Sequence, residues 1–181
     1  MMIPCTGKHV LTVLALIGMP VSSYALDSAS IEYLTNPQAK QIRAGLQWDW
    51  NRRWLESDKA YLGGYWDLTL AEWREEKYQN VTGASKNFAD IGLTPVLRFQ
   101  GLNRTGFYAE LGIGAHLFSD LYDNDGRQLS TRFEFGDHVG VGYVFGNKID
   151  LGLKYQHFSN GGIKEPNNGA NFTVLRASYR F

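Results

Sequence analysis

The run Gln41-Ile42-Arg43-Ala44-Gly45-Leu46-Gln47-Trp48-Asp49-Trp50 sorts by parity with nothing left over. Ile42, Ala44, Leu46, Trp48 and Trp50 share one face; Gln41, Arg43, Gly45, Gln47 and Asp49 share the other. A period of two is that of a β-strand with one greasy side. The pattern recurs along the chain. Leu62, Trp66, Leu68 and Leu70 oppose Tyr61, Tyr65, Asp67 and Thr69. Ala89, Ile91, Leu93, Pro95, Leu97 and Phe99 oppose Asp90, Gly92, Thr94, Arg98 and Gln100, with Val96 the exception. Phe107, Ala109, Leu111, Ile113, Ala115 and Leu117 oppose Tyr108, Glu110, Gly112, Gly114 and His116.

A soluble barrel or sandwich would alternate in the same way, so other features must choose between water and lipid. Met1 to Lys8 carries a positive charge, Val10 to Met19 is apolar, and Ser23-Tyr24-Ala25 has the small-x-small form that suits signal peptidase. The reading is a secretory signal peptide over 1–25, because an apolar run of about ten residues is far short of the roughly 20 a membrane helix needs. Aromatic residues stand at strand ends, at Trp48, Trp50, Phe99, Phe118 and Phe145. Leu175, Ala177, Tyr179 and Phe181 alternate to a terminal aromatic carboxylate, which resembles the assembly signal of bacterial outer-membrane barrels. Together these predict an all-β chain, an eight-stranded antiparallel transmembrane β-barrel over 26–181.

The expected strands lie near 27–35, 39–50, 60–74, 86–100, 106–118, 129–145, 149–159 and 171–181. Eight strands leave an interior just wide enough for side chains. Arg43, Asp67, Asp90, Arg98, Glu110, Glu134 and Arg176 have lumen parity and are expected to interlock as a polar plug, which argues against a porin. An even strand number places both ends in the periplasm, so the connections near 75–85, 119–128 and 160–170 are extracellular and the turns at 101–105 and 146–148 periplasmic. The periplasmic stretch Asn51 to Lys59 is longer than this scheme needs.

Charge and cysteine narrow the function classes further. The chain has 18 basic and 18 acidic residues, and Lys8 is the only charged one before Leu26. A near-neutral mature protein favours neither nucleic acid nor a polybasic membrane anchor. Cys5, the single cysteine, precedes the apolar stretch and leaves with the signal, so the mature chain has no disulfide and no thiol nucleophile.

One polar constellation sits on the lipid-facing parity. Leu151, Leu153 and Tyr155 continue to His157 and Ser159, and ionisable groups on a membrane face are functional candidates by default. Residues i and i+2 on one strand face lie roughly 6.6 to 7 Å apart at Cα, which Ser and His side chains can close to a hydrogen bond. The antiparallel return of the last strand brings Asn171 beside His157, where it could orient the ring. Reflection through a turn centred near residue 147 puts Asp137 beside His157 as well, unless a β-bulge turns that carboxylate inward. His116 and His138 have lumen parity and read as members of the interior network rather than metal ligands. Asp120, Asp123 and Asp125 crowd one loop, which reads as solvated rather than as a Ca²⁺ site.

The run His157-Phe158-Ser159-Asn160-Gly161-Gly162-Ile163-Lys164-Glu165-Pro166-Asn167-Asn168-Gly169 resembles the lipid A 3-O-deacylases (PagL) of Gram-negative outer membranes. Arg43-Ala44-Gly45-Leu46-Gln47-Trp48-Asp49-Trp50, Gly64-Tyr65-Trp66-Asp67 and Glu110-Leu111-Gly112-Ile113-Gly114 carry the same likeness over nearly all of the mature chain. The resemblance implies an outer-membrane esterase that hydrolyses the 3-O-linked acyl chain of lipid A, with lipopolysaccharide and membrane lipids as partners, room for a homodimer, and no cofactor. It makes Ser159 the nucleophile and His157 the base, with Asn160 and the backbone of Gly162 as the oxyanion hole. The family's orienting glutamate is replaced here by Asn171. An amide can fix the imidazole tautomer but cannot offset its charge; Asp137 could supply that charge. Outer-membrane phospholipase A, a larger barrel, looks similar in pairing Asn with His and Ser on its outer wall. A phospholipase A and a non-catalytic structural barrel are the alternative readings.

Overall fold

The computed structural model describes residues 25–181; the signal-peptide reading of 1–25 falls almost wholly outside them. The barrel strands are β1 (Ser28–Thr35), β2 (Ala39–Asp49), β3 (Ala60–Glu76), β4 (Ser85–Gly101) and β5 (Gly106–Phe118), then β8 (Phe133–Val144), β9 (Ile149–Ser159) and β10 (Ala170–Arg180). A small hairpin, β6 (Asp123–Asn124) and β7 (Arg127–Gln128), lies between β5 and β8. The eight long strands close in the order β1-β10-β9-β8-β5-β4-β3-β2, every pair antiparallel. Both described ends of the chain and the turns 102–105 and 145–148 share one end of the barrel, the turn end. The loops 77–84, 119–132 and 160–169 crown the other, the loop end.

The lipid-facing parity is borne out. Ile42, Leu46, Trp66, Leu68, Leu70, Leu111, Ile113, Leu151 and Leu153 all stand exposed on the outer wall, while their strand neighbours are buried in the lumen. A closed sheet satisfies every ladder hydrogen bond internally, which allows such a surface to face hydrocarbon.

The lumen is only half as polar as expected. At mid-barrel and toward the turn end, Glu32 meets Arg43 at 3.1 Å and Lys154 at 2.9 Å. Glu110 meets Arg98 at 2.7 Å, and Asp150 meets Arg98 at 2.9 Å and Arg176 at 3.2 Å. Tyr65 and Tyr108 donate their hydroxyls to Glu110 and Asp150. Buried ions are tolerated because each has a partner; removing one partner would strand a charge, at a cost of about 3–5 kcal/mol. Glu32, Asp150 and Lys154 belong to this network beside the expected Arg43, Arg98, Glu110 and Arg176. Of the other expected members, Asp67 accepts from Gln47, Asp90 contacts His116 and Glu134 accepts from Thr131.

The loop-end half of the lumen is apolar. Trp73, 0% exposed, has Phe88, Phe118, Phe158 and Phe172 around it at ring-centroid separations of 5.0, 4.9, 5.1 and 5.1 Å. Each such aromatic pair contributes about 0.5–1.5 kcal/mol beyond its buried area. Phe118, expected in the outer aromatic girdle, is therefore an interior residue, 1% exposed, because it follows the lumen parity of His116.

The predicted strand 129–145 begins instead at Phe133, and residues 119–132 form a loop folded over the barrel mouth. Its tip is the β6–β7 hairpin, where Asp125 (φ 46°) and Gly126 (φ 76°) both adopt the left-handed region. An Asp-Gly pair is a strong signal for such a two-residue turn, since glycine enters that region without steric cost. The three loop aspartates are tied down individually. Asp120 pairs with Lys86 at 2.7 Å, Asp123 accepts from Gln128 Nε2 at 2.9 Å, and Asp125 reaches Lys77 at 3.7 Å. The Lys86 ammonium and the Leu121 N–H hold the Asp120 carboxyl below the usual carboxylate range.

Candidate active site on the outer wall

β9 presents Leu151, Leu153, Tyr155, His157 and Ser159 to the outside, and the last two are only half-buried rather than fully exposed. Their register is pinned from within. Phe158, between them in sequence, points into the lumen against Trp73 and Phe172 and is 0% exposed. A slip by one residue would drive that ring into lipid and bury both polar side chains, so the aromatic half of the lumen fixes which groups reach the outer wall.

His157 lies between two neighbours in the ladder. On β10 its partner is Asn171, and on β8 it is Asp137. His157 Nδ1 donates to Asn171 Oδ1 over 2.6 Å, which leaves Nε2 with the free lone pair a base requires. Asn171 is itself held, since Asn36 Nδ2 in the β1–β2 turn donates to its backbone carbonyl at 2.9 Å. The β8–β9 ladder runs Phe135↔Ser159, Gly136↔Phe158, Asp137↔His157 without interruption. The β-bulge that would have turned Asp137 inward is therefore absent. The carboxylate keeps the outward parity on the strand next to His157 and is half-buried, with no ion pair to the imidazole among the described residues, and its Oδ1 is buried without a hydrogen-bond partner.

Among the described residues no hydrogen bond joins the Ser159 hydroxyl to His157. The two side chains share one strand face two residues apart.

The loop after Ser159 is knitted to the rest of the barrel mouth. Asn160, 0% exposed, donates from Nδ2 to the Lys164 carbonyl at 2.7 Å and accepts at Oδ1 from the Gly162 N–H at 3.0 Å. Its backbone N–H donates to Asn167 Oδ1 at 3.1 Å. Gln128 and Asn168 exchange two bonds of 3.0 Å, tying the loop to the β7 hairpin. The two groups expected to form an oxyanion hole are thus bonded to each other or to their own loop.

Gly169 carries a positioning role that the sequence alone did not reveal. It is buried at φ +70°, and a Cβ there would come within 2.6 Å of His157 Cε1 and 3.4 Å of Nε2. Gly169→Ala is expected to displace the imidazole and lower kcat about 30-fold, somewhat less than the ~10²-fold that a 1 Å misplacement costs. Steady-state kinetics on the refolded barrel measures it; an unchanged kcat would mean that the ring position is not limiting.

The interior histidines lie apart from this site. His116 Nδ1 sits 3.0 Å from Asp90 and its ring packs edge-on against Phe158, while His138 lies in the lumen 3.9 Å from Glu110.

The chain has relatives among known proteins. The family model "Lipid A 3-O-deacylase (PagL)" matches residues 40–180. The lipid A deacylase PagL of Pseudomonas aeruginosa is 32% identical over 148 residues, 82% of each chain. That of Bordetella bronchiseptica is 47% identical over 75 residues, covering 41% of this chain and 42% of the relative. The crystal structure of the outer membrane enzyme PagL superposes with a TM-score of 0.71 at 27% identity, covering 87% of this chain and all of that one. The match spans every strand from β2 to β10, including the His157–Ser159 segment, and the chain belongs to the lipid A 3-O-deacylase (PagL) family, as an ester hydrolase of the outer membrane.

Proposed function

We propose that the protein removes the 3-O-linked acyl chain of lipid A in the outer leaflet, with Ser159 as nucleophile and His157 as base. The observation that carries this reading is the 2.6 Å bond from His157 Nδ1 to Asn171, made on a wall that otherwise faces hydrocarbon. It fixes the proton on Nδ1 and leaves Nε2 to act on the serine. Ser159 Oγ attacks the ester carbonyl carbon as its proton passes to Nε2. The tetrahedral intermediate collapses to an acyl-serine, and the sugar 3-oxygen departs with the proton from His157. Water, activated by the same nitrogen, then releases the fatty acid and restores the serine. No cofactor takes part.

Asn160 and Gly162 serve as oxyanion donors through an exchange: the Gly162 N–H leaves Asn160 Oδ1 for the substrate oxygen. One acceptor replaces another, so the net cost is small until charge develops, when the bond strengthens. Asp137 supplies the negative charge that Asn171 lacks. The loop end bears most of the long connections, which supports its lying at the outer surface, with His157 and Ser159 in the leaflet that holds lipid A.

Purified, refolded protein incubated with lipid A and glycerophospholipid in mixed micelles tests the reading. Mass spectrometry is expected to show lipid A shortened by one 3-O acyl chain, with free fatty acid and intact glycerophospholipid. Lysophospholipid as the main product would make the protein a phospholipase A, and no product from either lipid would make it a non-catalytic barrel.

A further inference from the structure

The turn between β2 and β3 is longer than its turn-end neighbours, and it is built. Trp54 exchanges two backbone bonds of 2.8 Å with Leu62, and the Trp50 N–H donates to the Gly64 carbonyl at 2.9 Å, so the turn runs alongside β3. Trp50 meets Trp54 edge-on at 6.0 Å and Trp66 at 5.9 Å. Together with Trp48 and Leu93 they wall a groove of about 860 Å³ on the outer surface, with Arg52 among its lining residues.

Charge identifies the occupant. Asp49, the acid at this groove, is neutralised by Arg104 at 2.5 Å. Arg53, next in sequence, is committed to Glu56 at 3.2 Å and to the face of Tyr61 at 4.5 Å. Arg52 is exposed and, among the described residues, makes no ion pair or side-chain hydrogen bond. An apolar groove that opens on the lipid face of a membrane barrel, with a spare guanidinium at its lining, fits an amphiphile with acyl chains and an anionic phosphate. Guanidinium binds phosphate through paired donors, and tryptophans settle at headgroup level.

We infer that the 50–59 turn forms a binding seat for one glycerophospholipid at the end of the barrel opposite the catalytic wall, with its acyl chain against the tryptophans and its phosphate on Arg52. The seat explains why this turn is long when 102–105 and 145–148 suffice elsewhere at the same end.

Native mass spectrometry of the full barrel in detergent tests this, with palmitoyl-oleoyl phosphatidylglycerol as ligand and palmitoyl-oleoyl glycerol as the phosphate-free control. The expected result is one phosphatidylglycerol adduct and no adduct with the control lipid. Occupancy is expected to fall about tenfold in Arg52→Gln and to hold in Arg53→Gln, with deacylation of lipid A unchanged in both. Because Arg52 is exposed, its replacement leaves folding intact; Trp54→Phe, which keeps an aromatic face but offers the acyl chain less area, should weaken the adduct less. Equal binding of both lipids, an adduct indifferent to Arg52→Gln, or a second protein chain in place of the lipid would each overturn the inference.

Discussion

Ser159→Ala is expected to lower the deacylation rate by 10³-fold or more while leaving the barrel folded. Both halves of that statement follow from position. Ser159 is the last residue of β9, half-buried, and no side-chain hydrogen bond of the described structure depends on its hydroxyl, so the methyl group that replaces it disturbs no partner. The strand is held by Phe158 on its other face and by ladder pairs with β8 and β10, none of which involves the serine side chain. Chemically, alanine removes the atom that becomes acylated, and the other outward hydroxyls near His157, those of Tyr155 and Thr173, lie toward the middle of the barrel wall rather than at the loop end where Ser159 stands. The residual rate is what water achieves with the imidazole and the oxyanion donors alone. Heat-modified migration on a gel reports the folded barrel, and the two measurements must separate. A variant that still cleaves at a tenth of the parent rate would move the nucleophile elsewhere, and one that fails to fold would show that Ser159 is structural.

Most of the barrel was legible because a closed membrane sheet writes its two faces directly into alternate residues. Strand ends fall within a residue or two of those expected, with the exception of β8, and the reflection that set residue 137 opposite 157 is the register found. Parity tells which residues share a side but not what they meet there. Trp73, Phe88, Phe118, Phe158 and Phe172 have lumen parity, yet their mutual packing depends on strand pairings between residues far apart in sequence. For the same reason the three acids and bases missing from the expected plug, Glu32, Asp150 and Lys154, became visible only when β1 and β9 were set on either side of β10 and Asp150 of β9 was brought to Arg98 of β4. The loop after Ser159 was least legible. Its shape comes from Asn160, Asn167 and Asn168 bonding among themselves and to the β7 hairpin, and an asparagine in a sequence does not announce its partner. The Asp125-Gly126 turn, by contrast, could have been read.

The imidazole's anchor is the other position where a single change should be severe. Asn171→Leu is expected to lower kcat by about 10²–10³-fold with little change in KM, because leucine fills the space of the amide and offers His157 Nδ1 no acceptor. Without the 2.6 Å bond the ring can carry its proton on either nitrogen and can rotate toward the lipid, and only one of those states has Nε2 ready for Ser159. Asn171→Glu gives the opposite expectation. Its carboxylate accepts the same hydrogen bond and adds the charge that stabilises the imidazolium, so activity should equal or exceed that of the parent. The comparison also isolates Asp137. If its carboxylate already supplies that charge from the β8 side, Asp137→Asn costs roughly tenfold in the parent and much less in the Asn171→Glu background, a non-additivity that a double-mutant cycle reads directly. Full activity in Asn171→Leu would remove the asparagine from the mechanism and leave Asp137 as the group that orients the ring; additive losses in the cycle would show that the two flanking side chains act on His157 independently.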